Sequence, residues 1–346
     1  MSAATGAAGG PRVLVTGASG FVGRHVVREL RAAGAVVSAV DRTEHPDVPT
    51  TLGDLRDAGV RERAVVPGLD AVVHLAAITS VLGSVEQPAE TTQLNVVATA
   101  GLLELCRERG VGAFVLASTN AVVGDVGAGA DGRGTITDAL PLRPLTPYGA
   151  TKAAGEMLLS GYAGAFGLRA PVVRLTNVYG PGMRAKDSFV PRLMRAAAEG
   201  RGVVVYGDGE QRRDLVHVHD AARALAQAAL GWPSGPVIIG GARSYTVNEM
   251  VAAAREATGA PIPVDHQPAR PGEMPAVVVD VSRARSLGYA PSTALAEGMA
   301  TVWPDFRPAG VDGGTGADGG SGADGGSGAE GGAAAGAGGG ARGDVV

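Results

Sequence analysis

The stretch Arg12-Val13-Leu14-Val15-Thr16-Gly17-Ala18-Ser19-Gly20-Phe21-Val22-Gly23 decides how this chain is read. A short apolar strand runs into a glycine-rich turn, and a helical pattern starts directly behind it. In that context Gly17 permits a tight turn, Gly20 lets backbone approach a pyrophosphate, and Gly23 allows close packing of helix on strand. Amides at the start of the helix, those of Phe21 and Val22 among them, would face the phosphates. The spacing is G-x-x-G-x-x-G. About twenty residues further on, the second strand ends at Asp41, whose carboxylate suits both hydroxyls of a ribose. That carboxylate would repel the extra phosphate of NADP, whereas Arg42 beside it could pair with the same phosphate. NAD is the cofactor expected, with NADP left open.

Outward from this turn, short apolar runs over 12–16, 35–40, 71–76, 112–117 and 171–175 alternate with helical stretches over 22–33 and 89–109, and a further helix opens near Tyr148. Strands that are apolar on both faces need helices on both faces. The fold expected is therefore α/β: a doubly wound parallel sheet of the Rossmann kind, spanning 11–178. After Asn177 turns and arginines multiply. Gly180-Pro181-Gly182, Tyr206-Gly207-Asp208-Gly209 and Arg270-Pro271-Gly272-Glu273 mark loops between short helices over 191–199 and 221–230. Residues 179–307 read as a smaller C-terminal α/β lobe that binds substrate over the sheet's carboxyl edge, with segments returning to the first domain. Residues 1–10 and the Gly/Ala/Asp-rich tail 308–346 lack the apolar side chains needed to offset ordering entropy, and read as disordered.

The 346 residues carry a formal net charge of -4 with the basic residues scattered, which argues against nucleic acid as a partner. No run approaches the length of a membrane span. The first ten residues have neither the positive region nor the apolar stretch of a signal peptide, so a cytoplasmic protein with no membrane partner is expected. The single cysteine, Cys106, lies in an amphipathic helical pattern and reads as packing rather than as a catalytic thiol. His217 and His219 fall in what reads as a strand, on one face and with no third ligand near in sequence, so no metal is expected.

Further along, Thr146-Pro147-Tyr148-Gly149-Ala150-Thr151-Lys152 sets a phenol and an ammonium four residues apart. On a helix this spacing puts both on one face, where the ammonium favours the ionised phenol. A phenol so tuned acts as a general base near neutral pH. Alone, the pair would more often be two neighbours on a helix surface. Downstream of the glycine turn it speaks for redox chemistry on a nucleotide cofactor.

Taken together, the glycine turn, Gly53-Asp54-Leu55, His74-Leu75-Ala76-Ala77, Asn95, Ser118-Thr119, Tyr148/Lys152 and the runs from Arg174 through Pro181 and from Gly207 through Asp220 resemble the extended short-chain dehydrogenase/reductase family. Within it, they are most similar to the NAD-dependent nucleotide-sugar epimerases and dehydratases. The resemblance runs from Arg12 to Pro304. It implies that Asp54 and Leu55 contact the adenine ring and that the backbone of Leu75, Ala76 and Ala77 lines the cofactor. Asn95 would support the cofactor region, a position that equally suits a structural hydrogen bonder. Thr119 stands at the family's hydroxyl position and would bond the reacting sugar oxygen, while Val123 replaces the tyrosine usual before Gly124. Asn177 would contact the nucleotide-sugar, and Arg213 and Arg270 would clamp its diphosphate with planar guanidinium groups. The partner implied is a nucleotide-diphosphate sugar. A homodimer through two long helices is also implied, and helix 89–109 could supply one of them.

The chemistry implied starts with Tyr148 as a phenolate, stabilised by Lys152 and the nicotinamide ring. It takes the proton of the sugar's C4 hydroxyl, assisted by Thr119, while hydride passes to NAD. The 4-keto sugar then takes hydride back on its other face, or loses water across C5 and C6, or loses a carboxylate. Family 4,6-dehydratases carry Asp-Glu directly after the hydroxyl residue. Here Asn120 cannot donate a proton as an acid and Ala121 has no polar group, and Ala121 also replaces the glutamate of the uronic-acid decarboxylases. A 4-epimerase acting on UDP-glucose/UDP-galactose or the corresponding uronic acid is the activity expected. A 4-ketoreductase drawing on external NAD(P)H would use the same residues, and a nucleotide-sensing protein of this fold would not need Tyr148, Lys152 and Thr119 together.

Overall fold

In the computed structural model, which describes residues 9–126, 134–241, 243–269 and 276–307, strand Arg12–Thr16 lies inside a seven-stranded sheet. The order across it is Gly235–Ile239, Pro171–Leu175, Ala113–Thr119, Ala71–His74, Arg12–Thr16, Val36–Asp41 and Thr50–Leu52, with every pairing parallel. This is the doubly wound sheet expected. Its inner strand sends Val13 and Val15 into one core, with Val26, Leu30, Val115 and Leu225, and Leu14 into a second, with Val72, Leu103, Phe114 and Leu159. Burial on both faces is why these strands read as unbroken apolar runs. Strand order reverses between Arg12–Thr16 and Ala71–His74, so the ligand crevice of such sheets opens at the carboxyl ends of these two strands.

Local chemistry sets the helices that flank the crevice. Helix Pro147–Phe166 starts where the Thr146 hydroxyl accepts the Gly149 amide at 3.2 Å and ends at Gly167 in the left-handed region. The helix expected over 89–109 is instead three consecutive segments: Pro88–Thr92, a π-helical turn Gln93–Ala98, and Thr99–Glu108. Such a wide turn is a local insertion that hydrophobic periodicity does not reveal. Cys106 is buried on the last segment, and burial pushes its thiol up to about 12, as suits a packing residue.

Beyond Leu175 a third core forms around Tyr179, Met183, Leu193, Met194, Met250 and Met299. It rests on a three-stranded sheet of Asn177–Tyr179, Arg212–His217 and Ser244–Thr246 and a two-stranded one of Val203–Tyr206 and Val264–Gln267. The chain rejoins the large sheet at Gly235–Ile239, and Val278–Val279 pairs with Thr135–Ile136. Residues 1–8 and 308–346, read as disordered, lie outside the described residues, as does Arg270. Among the described residues no helix is long and apolar enough to cross a membrane.

The segment holding His217 and His219 is not a continuous strand. The strand stops at His217, whose Nδ1 accepts the His219 amide at 3.4 Å, and helix Val218–Leu230 begins there. The two rings meet edge-on with centroids 4.7 Å apart, and His25 from helix Phe21–Ala32 lies 5.0 Å from His219. Alternating Val and His read as a strand because propensity carries no signal for a cap made by a histidine ring. Burial pushes His217 down to about 4, and the fully enclosed His74 down to about 3. Unfolding lets both take up protons below their ordinary pKa of 6.5. The unfolded state then binds more protons, so stability falls as pH drops from 6.5 toward 4. Each histidine adds a slope approaching about 1.4 kcal/mol per pH unit. Thermal melts from pH 7 to 4.5 should show this decline, and His217→Gln should flatten it. A melting temperature constant between pH 6.5 and 5 would exclude the assignment.

Candidate active site

Because all seven strands run parallel, their carboxyl ends bring Gly17, Asp41, Gly53, Leu75 and Thr119 to one edge. Gly17 has φ of +70°, and a Cβ there would lie 2.8 Å from the Ala76 amide nitrogen. A Cβ on Gly23 would lie 2.1 Å from the Gly17 carbonyl oxygen. Gly20 differs: a Cβ there would meet only that same oxygen, at 3.2 Å, and otherwise open space. Helix Phe21–Ala32 has no side-chain cap, so the amides of Phe21 and Val22 keep their donors for a ligand. Asp41 is half-buried; one carboxylate oxygen accepts the Ser19 amide at 2.9 Å and the other the Thr43 amide at 3.2 Å. This ties the glycine turn to the end of the second strand and leaves lone pairs for a diol. A pyrophosphate cradle beside a ribose carboxylate fits NAD.

The remaining cofactor positions are held by contacts that sequence alone does not show. Asp54 is gripped by Arg56, whose Nη2 lies 2.7 Å away, and this hydrogen bond holds its carboxyl below the usual range with smaller help from the charge of Arg42. Arg42 thus lends its charge to Asp54. Arg61 donates to the carbonyls of Leu55 and Arg56 at 2.5 and 3.1 Å, fixing the loop in which Leu55 is buried. Thr16 Oγ1 accepts the amides of Leu75 and Ala76, each at 3.1 Å, and engages Nδ1 of His74 at 2.8 Å. His74 Nε2 meets Thr99 Oγ1 at 2.9 Å, and that hydroxyl donates to the Asn95 carbonyl. Asn95 sits on the π-helical turn and is buried. It exchanges hydrogen bonds with both backbone groups of Ile78, just past Ala77, and donates to Thr151 at 3.1 Å. Asn95 therefore joins the loop after strand Ala71–His74 to the helix of Tyr148.

On that helix Tyr148 and Lys152 share a face, as i, i+4 spacing requires. Strand Ala113–Thr119 meets them: the Thr119 hydroxyl bonds the Tyr148 phenol, and Lys152 Nζ donates to the Ala117 carbonyl at 2.9 Å. Burial pushes Tyr148 up to about 12 and Lys152 down to about 8, with Thr119 pulling the phenol back toward the ionised form. The hydrogen bond with Thr119 is what acts on the phenol here, and Lys152 stands one helical turn further along the same face. Its ammonium is drawn to a strand carbonyl. Thr119 also accepts the Ala121 amide at 3.2 Å and lies 3.4 Å from Asn120 Oδ1. Ser84, absent from the sequence reading, is fully buried and accepts the Tyr148 amide at 3.0 Å. A lone serine in a six-residue helix carries no signal of this role.

Facing the edge from the second lobe, Asn177 is exposed and donates to the Asp214 carbonyl at 3.0 Å. Arg213 is half-buried on the neighbouring strand, opposite Tyr245. Asp214 itself, not singled out from the sequence, accepts Thr176 Oγ1 at 2.8 Å and the Gly241 amide at 2.9 Å, joining the end of the large sheet to the lobe.

Comparison with known proteins supplies an independent line. Residues 13–237 match the NAD dependent epimerase/dehydratase family. The chain is 34% identical over 310 residues to a dTDP-glucose 4,6-dehydratase of Streptomyces griseus, covering 84% of this chain and 92% of the relative. Among solved structures it resembles the UDP-glucose 4-epimerase of Thermus thermophilus in complex with NAD, at 34% identity and a TM-score of 0.76 over 86% of this chain and 99% of that one. MoeE5 with UDP-glucose and NAD is 39% identical, with a TM-score of 0.74 over 85% of this chain and 97% of that one. MoeE5 was also solved with UDP-glucuronic acid and NAD.

Proposed function

The chain belongs to the NAD dependent epimerase/dehydratase family, and from that premise we propose that it is a nucleotide-sugar 4-epimerase of the UDP-glucose/galactose or UDP-uronic acid type. The observation that carries this reading is the pair Asn120 and Ala121 behind Thr119. Both are half-buried on the short turn that follows the strand, and neither side chain can give or take the proton that elimination of water requires. NAD, when bound, supplies the acceptor for the C4 hydride and the hydride that returns.

Tyr148 takes the proton of the C4 hydroxyl and returns it to the same oxygen after the sugar has turned over and its other face has been reduced. Thr119 hydrogen-bonds the phenol, and in this reading its hydroxyl also holds the sugar oxygen. Lys152, buried beside them, keeps a positive charge next to the developing phenolate. Asn177, Arg213 and Arg270 hold the nucleotide diphosphate, so that binding energy far from C4 fixes the sugar while leaving it free to turn over. Support for a UDP-sugar comes from the Thermus and MoeE5 neighbours. The test is incubation with UDP-, dTDP- and GDP-sugars without added cofactor, read by NMR. Inversion at C4 is expected. A 4-keto-6-deoxy product would make the enzyme a dehydratase, and dependence on added NAD(P)H would make it a ketoreductase.

The homodimer expected through two long helices would use the apolar face shared by Gln93–Ala98 and Pro147–Phe166, where Val97, Met157 and Phe166 are exposed around Leu158 and Tyr162. Met157→Glu should then shift the protein from dimer to monomer in sedimentation, with its fold intact. A wild-type protein that sediments as a monomer would remove this assignment.

A further inference from the structure

Helix Pro147–Phe166 presents a third residue on the stripe of Tyr148 and Lys152. Glu156 follows Lys152 by four positions, and one strand meets all three: Thr119 bonds Tyr148, the Ala117 carbonyl takes Lys152, and Ser118 Oγ donates to Glu156 Oε1 at 2.5 Å. Arg174, on the neighbouring strand, holds the same carboxylate with its Nε 3.1 and 3.2 Å from the two oxygens and Nη2 at 2.8 Å. Both side chains are almost sealed, at 4% and 6% exposure, and Lys152 is equally enclosed. Three buried charges, two positive and one negative, therefore lie along one strand edge.

The other titratable groups facing this site do not supply a counter-charge. His74, on strand Ala71–His74, is neutral; Tyr148 is a neutral phenol; Asp138 accepts the Ile238 amide with its carboxylate and Arg174 with its carbonyl, and its charge acts on Arg174 rather than on Lys152. On the helices packed against this one, Glu86 is exposed, Glu90 is paired with Arg56, and Glu104 is taken by Arg107 and Tyr162. Lys152 and Lys186 are the only lysines in a chain with 28 arginines. Lysine, unlike arginine, loses its proton readily when buried.

We propose that Glu156 is a positioning residue that acts through Lys152: it is the buried counter-charge that keeps the ammonium protonated beside Tyr148, while Arg174 and Ser118 hold its carboxylate ionised and aimed. This rests on the proposed role of Lys152 beside the base. Without Glu156, the ammonium would keep one carbonyl partner and lose its one acidic neighbour. A lower Lys152 pKa would then bring the alkaline loss of activity to lower pH.

With ¹³C-labelled lysine and Lys186→Arg, the Lys152 resonance stands alone and its titration can be followed directly in the full-length enzyme. Glu156→Gln should move it about one pH unit or more downward, and the alkaline limb of kcat/KM should move with it. Glu156→Gln combined with Arg174→Gln leaves no buried arginine without its carboxylate, and the same direction is expected there should the single variant not fold. An unchanged Lys152 titration in the folded variants overturns the inference. A shifted titration with an unmoved activity limb supports Glu156 as the counter-charge and refutes the role given to Lys152.

Discussion

Tyr148→Phe is expected to cut C4 inversion by about 10³-fold or more, the scale of a lost general acid–base group, while leaving nucleotide-sugar binding nearly unchanged. The substitution removes one oxygen and keeps the ring that packs at the helix start. The backbone is secured independently, since the Tyr148 amide is held by Ser84 and its carbonyl by the Thr151 hydroxyl at 2.8 Å. Only the hydrogen bond with Thr119 is lost. The measurement pairs NMR of the sugar product with calorimetric binding of the nucleotide-sugar. Turnover near the wild-type rate would show that the base is another group.

The second large effect is expected at Gly23→Ala, read as loss of co-purifying NAD together with a lower melting temperature. The added methyl would sit 2.1 Å from the Gly17 carbonyl oxygen and 2.7 Å from Ala18 Cα, both backbone atoms that cannot turn aside. The helix must move away from the turn. Overpacking of this kind costs about 1–3 kcal/mol, and when it acts on the cofactor cradle it corresponds to a roughly 10- to 100-fold weaker NAD affinity. Gly20→Ala separates fold from ligand. Its methyl meets only the Gly17 oxygen, at 3.2 Å, so the melting temperature should hold while NAD affinity falls. Normal NAD content in both variants would show that the glycine turn does not cradle the pyrophosphate.

The fold class was legible because the signals are local. Apolar runs bounded by Gly34 and Gly110, and a glycine turn between strand and helix, depend on residues close together in the chain. The same holds for the roster at the sheet's carboxyl edge: Gly17, Asp41 and the Tyr148/Lys152 pair are named by spacing, Thr119 by the family resemblance, and parallel topology brings the strand ends together. Where a side chain made the local structure, reading by pattern failed. His217 ends its strand by capping the next helix, and Gln93–Ala98 widens a helix without changing its composition.

By itself, then, the sequence determined the doubly wound sheet and the glycine turn between its first strand and helix, and it picked out Tyr148, Lys152 and Thr119 as the candidates for proton transfer. Only the tertiary structure decided what those residues do to one another. Lys152 turns to the Ala117 carbonyl, Thr119 bonds the Tyr148 phenol, and Glu156 meets Arg174 eighteen positions away on strand Pro171–Leu175. Proton affinities at the site follow from desolvation and from charges a few ångströms off. Both are set by how distant strands register and how deeply they bury each group, and neither is written in local spacing.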